Sequence, residues 1–249
     1  MKPEIFTFKW GTKYGPEYVN RLYGSLLKHI NVPFNFTCIT DDKLGINPDI
    51  STLEHFKFDH AFNSYPRDRL FTREKLELFN YSNSEHNMFL DLDILIHENI
   101  TDLVTMYHEK PTFIFNVNSR GESGNISPYR GYGQMCSSLV NSSMVGWSHD
   151  SGKYIYDYTL QNLEKIMFIY SSLDRYLFYQ HHRNGNLNIW PDDIFYNYNY
   201  NNSDHLKDES KRIALFNTSH KSDETDNNVY ELHQCSGWAK YIWESYDRL

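Results

Sequence analysis

The chain is predicted to be an α/β fold with a mostly parallel central sheet, and three observations carry that expectation. An apolar strand, an amphipathic helix and a second apolar strand follow one another in the first forty residues. At that length they form a βαβ unit, whose strands are parallel with a right-handed crossover. Further short apolar runs then alternate with helical patterns, and no internal repeat or clear linker divides the 249 residues, so one domain spanning 1–249 is expected.

The first strand is Glu4 to Lys9, apolar and aromatic through Ile5, Phe6 and Phe8. After the polar loop Trp10 to Gly15, Pro16 marks a helix start, with Tyr18, Val19, Leu22, Leu26 and Ile30 at helical spacing. Pro33 closes that helix and Asn35 to Thr40 is the second strand. Thr72 to Tyr81 is predicted as a helix, Asn87 to Ile96 as a strand carrying two carboxylates, and Thr112 to Val117 as another strand. Ser119 to Gln134, rich in Gly, Ser, Arg and Pro, is predicted to be a long loop of the lid or binding kind. Ser138 to Gly146 resumes strand character and Lys153 to Tyr170 is predicted as one helix. Ile189 to Tyr200 mixes apolar and acidic residues, and 197–210 is polar. Arg212 to Phe216 is a late strand, and Trp238 to Leu249 a terminal helix.

A formal net charge of -8 argues against affinity built on neutralising nucleic-acid phosphates. Cys38, Cys136 and Cys235 are widely spaced and form no zinc-ligand pattern. The N-terminal residues lack the apolar core of a signal peptide, and no run approaches the ~20 apolar residues of a membrane span. A cytoplasmic location is expected.

The sharpest chemical feature is Phe89-Leu90-Asp91-Leu92-Asp93-Ile94-Leu95-Ile96. On a regular strand positions i and i+2 share a face, so both carboxylates would converge on one site. Two like charges in apolar surroundings need neutralising, and carboxylate oxygens suit Mn²⁺ or Mg²⁺. A metal held there can bridge the phosphates of a nucleoside diphosphate. From the residues alone, a strand end where both carboxylates meet water or cap amides fits as well. His97-Glu98 begins a zinc-protease pattern but lacks its second His, and His181-His182 are adjacent and share no helical face. No glycine-rich phosphate-binding or dinucleotide motif occurs.

The FLDLDILI segment resembles the Asp-x-Asp strand of GT-A-fold glycosyltransferases of the glycogenin and lipopolysaccharide galactosyltransferase type. Phe6 to Ser25 is similar to their first strand, nucleotide loop and helix. Phe71 to Phe79 resembles the helix before the Asp-x-Asp strand, and Val140 to Val145 their Asn-Ser strand. The resemblance implies a GT-A-like, Rossmann-related α/β/α sandwich and an enzyme that moves a hexose from UDP-glucose or UDP-galactose to an unidentified acceptor. Asp91, Leu92, Asn141 and Ser142 would then contact the donor sugar or ribose, Tyr14 and the backbone around Phe8 the base, and Lys75 a phosphate or hydroxyl. Asp91 and Asp93 would hold Mn²⁺ or Mg²⁺. In RIALFNTSHK the position of the family's metal-binding His falls on Leu215 or Asn217, so Asn217 or His220 would complete the metal set. Thr218 replaces a Gly, and Lys221 aligns with the phosphate lysine. Pro191-Asp192-Asp193 resembles the acidic segment beneath the donor sugar, which makes Asp192 the candidate catalytic carboxylate. Two other functions are compatible with parts of this pattern. One is a non-catalytic sugar- or nucleotide-binding module. The other is a haloacid-dehalogenase-type phosphatase, although its Asp-x-Asp normally opens the chain.

Overall fold

The computed structural model describes residues 2–54, 64–66, 72–116, 138–198, 207–216 and 231–248. The opening βαβ unit has the predicted bounds: β1 (Glu4–Lys9), α1 (Pro16–His29) and β2 (Asn35–Thr40), with the strands paired in parallel from Glu4↔Asn35 to Lys9↔Thr40. Pro16 starts α1 because a first-turn residue needs no amide donor. Lys28 favours its C-terminal dipole. Its buried Tyr18, Val19, Leu22 and Leu26 face the sheet. Gly24 is required there for a different reason: a Cβ would collide with the Tyr246 carbonyl oxygen.

A short edge strand, β3 (Ser51–Glu54), pairs with β2. The helix expected over 72–81 is tighter in its first half. Residues Arg73–Glu77 form a 3₁₀ segment that runs into α2 (Leu78–Tyr81), and Thr72 enters it at φ 67°. All five residues of the 3₁₀ segment are buried, four of them charged, so tertiary partners decide the winding there rather than helix propensity.

The predicted strand 87–96 divides into β4 (Asn87–Leu90) and β5 (Ile94–Ile96). After α3 (Thr101–Val104) come β6 (Thr112–Phe115) and β7 (Val140–Trp147). The helix expected over 153–170 is two, α4 (Lys153–Gln161) and α5 (Leu163–Ile169). Between them the Asn162 side-chain amide donates to the Tyr158 carbonyl, and the Asn162 carbonyl accepts from Ile166 N–H to open the next helix. Then follow α6 (Leu173–Tyr176), a π-helical turn Leu177–His182, β8 (Asn188–Ile189), β9 (Phe195–Asn197), β10 (Ile213–Leu215) and α7 (Gly237–Ser245).

The main sheet has the order β3-β2-β1-β4-β7-β6-β8, and β7 alone runs against the others. A second sheet has the order β5-β10-β9. Strand alternation builds a core on each face of the main sheet. Ile5, Cys38, Leu90 and Met144 pack with α1, α7 and the small sheet, while Phe6, Ile39, Phe89 and Val145 pack with α2, α4, α5 and α6. The result is the expected α/β/α sandwich. Among the described residues no helix is long and apolar enough to cross a membrane.

Candidate functional site

At the carboxyl ends of the parallel strands β1, β2 and β4, open α/β sheets form their ligand crevice. The loops there are Trp10 to Gly15 and Asp91 to Asp93. The Asp91 N–H still donates to Ser143 O of β7 at 2.8 Å, whereas Phe216 N–H, just past β10, donates to Asp93 O at 3.0 Å. The chain thus leaves the main sheet at Asp91 and joins the small one after Asp93. The regular i, i+2 alternation first expected is broken, and a turn between two sheets brings the carboxylates together instead. Leu92 points into the α1-side core and is only 4% exposed, so its side chain is packing and any ligand contact would come from its backbone.

Lys75 is buried, with Nζ 2.8 Å from Asp91 Oδ2, 3.0 Å from Ser142 O and 3.3 Å from Ser142 Oγ. Its ammonium also lies 4.8 Å from the Phe89 ring centroid. Three donors find three acceptors, so Lys75 anchors the site from behind. Ser142 can turn its carbonyl inward because pairing of β6 with β7 slips at Phe113/Ile114, where Asn141 stands opposite Ile114. Asn141 is buried and its Oδ1 accepts from Ser143 N–H at 2.8 Å, which pins that irregularity.

Desolvation pushes the Asp91 carboxyl up to about 6; Lys75 pulls it down and the Asp93 charge pushes it further up. The Asp91 side chain keeps 27% exposure, so at neutral pH it stays the charged partner of Lys75. Asp93 meets Tyr14, whose hydroxyl lies 3.3 Å from Asp93 Oδ2. Burial raises the Tyr14 phenol well above its ordinary range, and the charges of Asp93 and Asp91 add to that. The Tyr14 ring is tilted against Tyr18 at 4.7 Å. Phe8, one residue before the end of β1, lies beside Trp10 and Phe89 with its side chain buried.

Asp174, on α6, is a member of this cluster that sequence reasoning missed. Its Oδ1 accepts from Ser142 N–H at 3.1 Å, and burial raises its pKa against the pull of Lys75. No local signal marks it, because it is 32 residues from its partner in sequence. Asp192, the carboxylate expected at the reaction centre, is not brought to this cluster. It is exposed and precedes β9 at the end of the small sheet where Ile213 pairs with Ile96, whereas Asp93 abuts the other end. Lys211 Nζ donates to its carbonyl at 2.7 Å. Asn217, Thr218, His220, Lys221, Cys136 and the 119–134 loop lie outside the described residues.

Two carboxylates with one ammonium bonded to Asp91 alone leave a deficit of positive charge, which fits a hard cation held by oxygen. Among the described residues no third His, Cys, Asp or Glu joins them as a metal-holding group. The donor set present therefore suits a cation that draws its remaining ligands from phosphate and water.

No family model matches the sequence, and no curated protein matches it at a significant level. Solved structures do match the fold. The galactosyltransferase LgtC, in complex with donor and acceptor sugar analogs, has a TM-score of 0.60 at 11% identity, over 99% of this chain and 96% of that one. The glycosyltransferase GlyE of Streptococcus pneumoniae TIGR4 has a TM-score of 0.55 at 11% identity, over 100% of this chain and 61% of that one. Mouse xyloside xylosyltransferase 1 gives 0.54 at 10% identity, over 86% and 97%. The chain has the fold of the GT-A glycosyltransferases.

Proposed function

We propose that this protein is a metal-dependent glycosyltransferase that takes a hexose from a nucleoside-diphosphate sugar, UDP-glucose or UDP-galactose, and passes it to an acceptor. The observation that carries the proposal is the meeting of Asp91 and Asp93 where the chain crosses between sheets, with Lys75, Ser142 and Asp174 bonded behind them. A fold shared with enzymes of this class supports it. Tyr14 and the Phe8 backbone would hold the nucleoside, as flat aromatic surfaces hold bases. Asp91 and Asp93 would hold Mn²⁺ or Mg²⁺, with Asn217 or His220 completing the set and Lys221 over the phosphates. Bound there, the cation would stabilise the negative charge that develops on the departing diphosphate.

The chain's own residues do the rest. Lys75 keeps Asp91 ionised and oriented. Asn141 and Ser142, fixed by the β7 irregularity, would present polar groups to sugar hydroxyls. Asp174, bonded to Ser142 beside the carboxylate pair, would be the carboxylate that faces the reacting carbon or takes the acceptor proton, in place of Asp192.

Calorimetry of UDP with Mn²⁺ and with EDTA, paired with an assay of donor hydrolysis, tests this. UDP should bind more tightly with Mn²⁺, and Asp93→Ala should remove that increment while leaving the thermal midpoint near that of the parent. Equal UDP affinity in both buffers would rule out the metal assignment. Failure to cleave any nucleotide sugar, with metal-dependent binding intact, would favour a binding module.

A further inference from the structure

We propose that Tyr14 is a positioning residue that holds Asp93 in the metal-free protein and so couples cation entry to nucleotide entry. The inference rests on Asp93 being a metal carboxylate. Lys13 Nζ donates to the Tyr14 phenolic oxygen at 2.6 Å, which leaves the phenol proton to point at Asp93 Oδ2 at 3.3 Å. That proton occupies one of the directions from which a cation would approach the same oxygen.

The ring cannot drift away freely. It packs on Tyr18, whose own ring lies 5.0 Å from Trp243 and whose hydroxyl is 2.7 Å from His233 Nδ1. Tyr14 nevertheless sits on the loop between β1 and α1, at the crevice where the nucleoside is proposed to enter. A base laid against its ring would take over that packing and turn the hydroxyl away from Asp93. The freed oxygen then receives the cation, and by linkage each ligand favours the other. The contact is long for an O–H···O bond, so the competition is modest.

The test is titration of Mn²⁺ followed by electron paramagnetic resonance on the parent, Tyr14→Phe and Asp93→Asn, each with and without saturating UDP. Phe keeps the ring and removes only the hydroxyl. Without UDP, Tyr14→Phe should bind Mn²⁺ roughly three- to tenfold more tightly than the parent, the scale of one weak hydrogen bond to a charged acceptor. With UDP the two should match, so the coupling factor shrinks by the same ratio. An unchanged or weaker affinity without UDP, or an equal gain with and without it, overturns the role of Tyr14 while Asp93→Asn still loses the metal. If Asp93→Asn binds Mn²⁺ as the parent does, the metal assignment itself is wrong.

Discussion

Asp174 and Asp192 compete for one role, and their surroundings separate them. Asp174 is tied to Ser142 and feels Lys75, whereas Asp192 lies exposed at the far end of the small sheet. Asp174→Asn keeps an oxygen for the Ser142 N–H, so the thermal midpoint should stay close to that of the parent. Turnover of a nucleotide sugar should fall roughly a hundredfold or more if the carboxylate handles a proton or developing charge. Asp192→Asn should leave steady-state turnover near the parent value, and the opposite pattern would restore Asp192. Much of the candidate site was legible in sequence because Asp91 and Asp93, and Asn141 and Ser142, stand close together within short apolar runs. Asp174 was not legible, since nothing within its own turn records a bond made to a distant strand.

At the scale of elements, β1, α1 and β2 match their predicted bounds because local chemistry and burial agree there: a proline start, a 3.6-residue stripe, and strands covered on both faces. The 87–96 run misled for a physical reason. Apolar side chains alternate in the same way whichever sheet a strand joins, so the departure of the chain to β10 after Asp93 leaves no trace in hydropathy. β3 is an edge strand, exposed along most of its length, and carries little apolar signal. The contact of α1 with the C-terminal residues gives a direct test. Gly24→Ala places a methyl against the Tyr246 backbone, which cannot move as a flexible side chain would. Overpacking of this kind should destabilise by about 1–3 kcal/mol. In urea unfolding the midpoint should fall with an unchanged slope; a Gly24→Ala protein as stable as the parent would show that α1 and the C-terminal segment do not pack this closely.

At the scale of the molecule, three histidines buried among the described residues bear on the response to acid. Burial lowers His97, His108 and His181 to about 4, with Lys207 adding to the effect at His97 and His86 at His108. All three stay neutral in the fold while their unfolded counterparts, near pH 6.5, take up protons. Stability is therefore full above about pH 6.5 and is lost as pH falls toward 4, by up to about 3 kcal/mol for each histidine. Asp91 and Asp174 act in the opposite direction, because each raised carboxyl is relieved by protonation as pH falls, whereas His29, also lowered to about 4 by burial, adds to the effect of the three histidines. The urea midpoint should decline steadily between pH 6.5 and 4, and a flat profile would contradict the burial of these rings. The crossing of the chain between sheets carries one more consequence, visible in hydrogen exchange. The Asp91 amide is held by the main sheet and the Phe216 amide, on Asp93, by the small one. Each can therefore open with its own sheet and exchange at its own rate. A cation gripped by both carboxylates would lace the two sheets together at that seam, and the two amide protons should then slow to a common rate.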